Sequence, residues 1–281
     1  MTQCLNFKRG DILPIMSILD NLREFVESIK TKITNLTFQE NDVRKAYFEN
    51  LYSVLNEFYM GKVFFEVSKE IKNSNIKFTP VIYHLRTHIM RIYEIADHPL
   101  LSNSYHNELN RKVFSDTFTN FESTIDMCFS QIISNNSLDK IVEEINAKIF
   151  KICKEGLEQK EKLLEHFRKS TFIPLIRKFK FLAKYRTDCY GATYQEDVEF
   201  IEFNTKLRNC ILHSAGFYKG KNYEYEFGGI KFIFKNQEFL EMQGDNVVVF
   251  VEINKRFTEI IERILSCLSD IDFIQYPDDG F

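Results

Sequence analysis

The sequence predicts a mainly α protein with a small antiparallel β-meander near the C-terminus, and three observations predict it. From residue 13 to residue 213, apolar side chains return every three or four positions in run after run, which is helix period. Only five prolines interrupt 281 residues. Past Gly216 the pattern changes to short runs rich in Phe, Tyr, Val and Ile, punctuated by glycine and asparagine.

The elements follow in order. Residues 13–35 have helix period, and residues 42–72 continue it for many turns as one long or kinked helix. Pro80 suits the first turn of a further helix over 79–96, because its missing N–H costs nothing there. The stretch "HPLLSNSYHN", 98–107, is polar and irregular. It divides the chain into an N-terminal helical region, 1–100, with no motif of its own, and a helical bundle over 101–281. In the bundle, residues 110–134, 138–156 and 159–170 have helix period, with Asn135-Asn136-Ser137 and Gly156 as stops. Pro174 opens a helix to about Arg186, and 188–197 reads as a loop feeding a helix over 200–213. The runs "NYEYEF", "GIKFIF", "EFLEM" and "NVVVFV" make a meander over about 223–250, with turns at Gly228-Gly229, Lys235-Asn236-Gln237 and Gln243-Gly244-Asp245-Asn246. A last amphipathic helix, 252–269, sets Ile253, Phe257, Ile260, Ile261, Ile264 and Leu268 on one side.

Composition narrows the function. A net charge of −3 argues against a protein coated in basic surface, so any nucleic-acid site has to be a local patch. Six cysteines, at 4, 128, 153, 189, 210 and 267, form no C-x-x-C pair. That is neither a zinc spacing nor a disulfide framework, and it points to reduced thiols in the cytoplasm. No leading apolar run reads as a signal peptide, and nowhere do 18 consecutive apolar residues occur, so no membrane association is expected. His84 and His88 in "HLRTH" have a metal-ligand spacing, but no Glu follows His84 and no third ligand is near, so no metal or other cofactor is expected. There is no phosphate-binding G-x-x-x-x-G-K-[ST].

The stretch "LRNCILHSAG", 207–216, raises the sharpest question, because it puts Arg208, Asn209 and His213 on the end of an apolar helix. At 100° per residue, Phe200, Phe203, Leu207 and Ile211 form one stripe, and Asn209 and His213 share the opposite face. Arg208 lies between and can curl toward either. Cys210 reads as packing.

Arg208-Asn209-Cys210-Ile211-Leu212-His213 resembles the R-N-x-x-x-H signature of HEPN (higher eukaryotes and prokaryotes nucleotide-binding) domains. The resemblance covers about residues 105–270. It implies a helical bundle that works as a homodimer and as a metal-independent endoribonuclease, a toxin or an antiphage, abortive-infection effector held in check by an antitoxin or other regulatory partner. "NFESTIDMCF", 120–129, is similar to the acidic helix of many family members, which maps a supporting acid onto Glu122. The β-meander is a departure from the family pattern. A non-catalytic HEPN-like module that binds RNA or a protein partner is the alternative.

The chemistry is consistent with the resemblance. RNA carries its own nucleophile, the 2′-hydroxyl, so cleavage requires a proton acceptor near neutral pH, a donor for the 5′-oxygen and positive charge on the phosphorane. His213 titrates in that range and Arg208 offers a fork of donors to phosphate. Asn209 can orient the histidine or donate to a phosphate oxygen. One motif supplies one histidine, and a two-fold dimer pairing two motifs supplies both acid and base.

A basic stretch lies just upstream. Between His166 and Arg186 there are seven cations, Arg168, Lys169, Arg177, Lys178, Lys180, Lys184 and Arg186, and no acidic residue. On a helix from Pro174, Arg177, Lys180 and Lys184 line one face, with Phe181 and Tyr185 beside them. Such a row can track single-stranded RNA, phosphates on the charges and bases on the rings. A solvated helix face is the other reading.

Overall fold

Apolar spacing shapes the first elements. Helix α1 (Ile15–Asn35) buries Leu22, Phe25, Val26 and Ile29, and α2 (Val43–Asn73) buries Val43, Tyr47, Phe48, Leu51, Leu55 and Phe58. Asp42 caps α2, its Oδ1 accepting from the Arg44 N–H at 2.8 Å. The computed structural model describes residues 15–35, 42–73, 90, 91, 94, 98–152, 157–186, 189–213, 216–243 and 249–271. Of the expected helix 79–96 only Met90, Arg91 and Glu94 fall among these, all helical; Pro80 and the rest lie outside the described residues.

Helix α3 (Pro99–Ile132) starts well before residue 110, with Pro99 in its first turn. The polar stretch 98–107 is therefore the exposed opening of a long helix and not a linker, and the expected division at residue 100 falls in its first turn. Helices α1 and α2 belong to the same hydrophobic core as α3, and Asn120 of α3 donates to the Tyr47 carbonyl of α2 at 2.9 Å. Next come α4 (Asn135–Ile145), α5 (Ala147–Ile152) and α6 (Leu157–Ser170). The Ser134 side chain caps α4 by accepting from the Ser137 N–H. The run read as one helix over 138–156 breaks at Asn146, whose amide donates to the Val142 carbonyl and to Thr171 Oγ1, both at 3.0 Å.

Helix α7 (Leu175–Ala183) follows Pro174, and α8 (Tyr194–Arg208) begins inside the stretch read as a loop. Helix α8 runs through the middle of the bundle, with Val198, Phe200, Ile201, Phe203 and Leu207 all buried. The small strands are β1 (Phe217–Tyr218), β2 (Tyr223–Phe227), β3 (Ile230–Phe234), β4 (Glu238–Phe239) and β5 (Glu241–Gln243). β2, β3 and β5 form an antiparallel sheet in that order, and β1 pairs with β4. The β2–β3 turn is Gly228-Gly229, both with positive φ (56° and 73°), the conformation a two-residue hairpin of this twist requires. The sheet packs on α8 through Phe203, whose ring stacks on Tyr225 at 4.4 Å and meets Phe232 at 4.8 Å.

Helix α9 (Val249–Cys267) closes the bundle. The run "NVVVFV" was expected as a strand, but from Val249 onward it is the first turn of α9. A short β-branched run does not by itself distinguish strand from buried helix, and here packing decides. Val249, Phe250 and Val251 are buried, and the Phe250 ring lies 5.9 Å from Phe114 of α3. Phe257, one layer on, contacts Phe121 at 4.6 Å, Phe200 at 5.3 Å and Phe118 at 5.9 Å, which ties α3, α8 and α9 together.

Candidate functional site

The end of α8 is not a simple stop. Residues Asn209–His213 continue it as a single π-helical turn. The wider turn is closed by Gly216, whose N–H donates to the Cys210 carbonyl at 2.8 Å and whose φ of 89° suits glycine. Single π turns are rare and recur at functional sites. This one coincides with the R-N-x-x-x-H motif from its second residue to its last.

The motif residues part company there. Arg208, the last α-helical residue, turns inward: it is half-buried, with its guanidinium carbon 5.8 Å from the ring centre of Phe118 on α3. Its Nε is buried without an acceptor among the described residues. Asn209 is exposed. Cys210 is buried and takes the core position that the helical wheel gave to Ile211, which is only half-buried. His213 ends the turn, and its side chain lies outside the described residues. Glu122 is half-buried on α3, one turn past Phe118. The acidic helix thus does run beside Arg208, yet no ion pair joins Glu122 to Arg208 among the described residues. Behind the turn, burial raises the Tyr218 hydroxyl above its ordinary range, with the Cys210 thiol adding to the shift. Tyr218 therefore stays protonated and donates to the Lys221 carbonyl at 3.0 Å.

The basic stretch is placed elsewhere. Lys184 lies over the Tyr194 ring at 5.0 Å, at the start of α8, and Phe181 meets Phe129 near the end of α3. Fifteen residues of helix separate Tyr194 from Asn209, about 22 Å of rise, so α7 flanks the end of α8 opposite the motif. Its cations are largely spoken for: Arg177 pairs with Glu144 at 2.9 Å, Lys178 with Asp126 at 2.7 Å and Arg168 with Asp139 at 2.7 Å, while Arg186 pairs with Asp270. Lys180 is half-buried, and Tyr185 is exposed.

One polar cluster escaped the sequence reading. Asp197, in the first turn of α8, is 0 % exposed. Its Oδ1 accepts from Arg256 Nη2 at 2.7 Å and its Oδ2 from Arg263 Nη2 at 2.9 Å, both on α9. Tyr190 and Thr193 hydroxyls donate to Oδ2 at 2.9 and 3.2 Å. Burial raises the Tyr190 hydroxyl far above its ordinary range, with the Asp197 carboxylate adding to the shift. Nothing in the local sequence marks this cluster, because its arginines lie about 60 residues away.

His84 and His88 lie outside the described residues, and among the described residues no three metal-ligating side chains gather. No described helix is long and apolar enough to cross a membrane. A cleft of about 530 Å³ opens near the C-terminal half of α9, lined by Thr31, Lys32, Arg44, Phe48, Glu262 and Ser266, but Lys32 pairs with Glu262, Arg44 with Asp42, and no motif residue reaches it. Comparison with family models, with curated proteins and with solved structures gives no match to this chain.

Proposed function

We propose that the protein is a metal-independent endoribonuclease of HEPN type, with Arg208, Asn209 and His213 as its reacting constellation. The observation that carries this reading is the π turn: the one break in the geometry of α8 spans Asn209–His213 and sets an exposed Asn209 beside a half-buried Arg208. In the reaction the 2′-hydroxyl attacks the adjacent phosphorus and the bond to the 5′-oxygen breaks. A histidine takes the proton from the 2′-oxygen, a second histidine returns one to the 5′-oxygen, and Arg208 stabilises the charge on the non-bridging oxygens. Since each chain brings one motif, two chains share the cleft, and sedimentation is expected to give a dimer. Toxin or antiphage action in the cytoplasm, restrained by a regulatory partner, is the setting that the resemblance implies.

A binding module without catalysis is the second reading. The intrachain pairing of the α7 cations favours neither reading on its own, but it removes the basic track as a support for RNA binding next to the motif. Incubation of the protein with total cellular RNA and EDTA separates the two. Cleavage with 2′,3′-cyclic phosphate and 5′-hydroxyl ends is expected, whereas activity lost to EDTA and restored by a divalent ion contradicts the mechanism.

A further inference from the structure

Spacing along the sequence pairs none of the cysteines, but the fold brings two of them together. The segment between α7 and α8 runs along the C-terminal end of α9 and is held there at two points. Arg186 pairs with Asp270, in the turn just past α9, and the Arg263 guanidinium lies over the Tyr190 ring at 5.8 Å. The two strands of chain run in opposite directions, so position 189 falls opposite the stretch between 263 and 270. Cys267 stands in that stretch, on the same helix face as Arg263 four residues earlier. There the Cys267 S–H donates to the Cys189 sulfur.

The two sulfurs differ in a way that suits chemistry in sequence. Cys189 is exposed and Cys267 is buried. Burial pushes the Cys267 thiol up to about 12, with the hydrogen bond to Cys189 and the Cys189 charge adding to the shift and the Arg186 cation opposing it. Cys267 therefore stays protonated while Cys189 is reduced, and Cys189 is the sulfur that an oxidant reaches first. The other two described thiols have different surroundings. Cys128 is buried with Arg44 and Asp42 as its charged neighbours, and Cys210 is buried behind Tyr218.

We propose that Cys189 and Cys267 form a peroxide-reactive pair that closes reversibly into a disulfide. The Cys189 thiolate attacks one oxygen of hydrogen peroxide and the O–O bond breaks. The departing hydroxide takes up the thiol proton as water, leaving a sulfenic acid on Cys189. Oxidation removes the Cys189 charge that helped to keep Cys267 protonated. The Cys267 sulfur then attacks the sulfenic sulfur, its proton goes to the leaving hydroxyl, and a second water departs. Two thiols and one peroxide thus give one disulfide and two waters, and a thiol reductant reopens the bond by exchange. The bond staples the last turn of α9 to the segment that carries Tyr190 into the Asp197 cluster, across 78 residues of chain. None of this depends on the ribonuclease reading.

The test exposes the whole chain to a few equivalents of hydrogen peroxide, blocks the remaining thiols with N-ethylmaleimide and maps unreduced peptides by mass spectrometry. The expected product is a peptide pair joined through Cys189 and Cys267, in a chain that still migrates as a monomer on a non-reducing denaturing gel. Dithiothreitol should abolish it. Both thiols alkylated, Cys189 carried on to sulfinic acid beside an alkylated Cys267, or a bond from either sulfur to a different cysteine or a second chain overturns the proposal. The oxidised protein is expected to melt about 5 °C above the reduced one, because the bond closes a long loop. A joined pair with no rise in melting temperature overturns the staple. Cys267→Ser is expected to leave Cys189 as a sulfenic acid that dimedone traps. If that variant does not fold, Cys189→Ser, altered only at an exposed position, takes its place, and its Cys267 is expected to stay alkylatable after peroxide. Oxidation of Cys267 in that variant contradicts the order of attack.

Discussion

At the first turn of α8 a buried carboxylate gathers four partners; at the last turn the helix loosens and its arginine turns in over Phe118. Asp197 collects donors from two arginines, a tyrosine and a threonine, and its charge sits where the helix dipole favours a negative group. Twelve residues on, the helix loosens into a π turn that leaves Asn209 exposed. The Asp197 network contributes to holding the fold, whereas the exposed side of the π turn can change with little loss of packing.

If that division holds, substitutions at the two ends fail in different ways. The largest effect belongs to the motif: His213→Ala is expected to slow RNA cleavage by about a thousandfold while the circular dichroism spectrum stays helical. A fully active His213→Ala protein would move the function to the binding-module reading. Next comes Asp197→Ala, which strands two arginines and a tyrosine around an empty place. It is expected to destabilise the fold by about 3 kcal/mol in urea unfolding, and a loss under about 1 kcal/mol would mean that solvent reaches the cluster and the end is not closed. Smaller again is Gly216→Ala, since alanine tolerates a φ of 89° poorly. A loss of about 1–2 kcal/mol is expected, together with a disturbed motif turn. Equal stability and equal activity in that variant would show that the turn does not depend on its closing glycine. The smallest effect is expected for the pair Lys180→Ala and Lys184→Ala, at the far end from the motif. It should flatten the salt dependence of RNA binding by about two at most, and a larger change would return α7 to the RNA path.

What could be read from the sequence follows the same line. Helix period located α1 and α2 closely, because their burial repeats within a few residues and local spacing records it. The Gly228-Gly229 hairpin was legible for a related reason: a tight turn needs those residues locally. The start of α3 was missed, since an exposed polar first turn looks like a loop, and "NVVVFV" was misread because only the contact of Phe250 with Phe114 settles its form. The motif itself was legible as a pattern of residue types. The inward turn of Arg208 was not, as it depends on Phe118, which lies 90 residues earlier, and on a π turn that no propensity encodes. The Asp197 cluster was invisible for the same reason: its arginines come from α9. The basic stretch is next to the motif in sequence but not in space, because α7 neighbours α8 at its first turn and the motif is at its last.

The most direct measurement compares Arg208→Ala with Asp197→Ala, each assayed on the same single-stranded RNA in EDTA, at a temperature where both are folded, with rates counted per folded molecule. Chemistry at the π turn and stability at the opposite end require Asp197→Ala to cleave at close to the wild-type rate and Arg208→Ala to lose about a hundredfold or more. Equal losses in the two variants, or an Arg208→Ala protein that cleaves normally, would contradict the account.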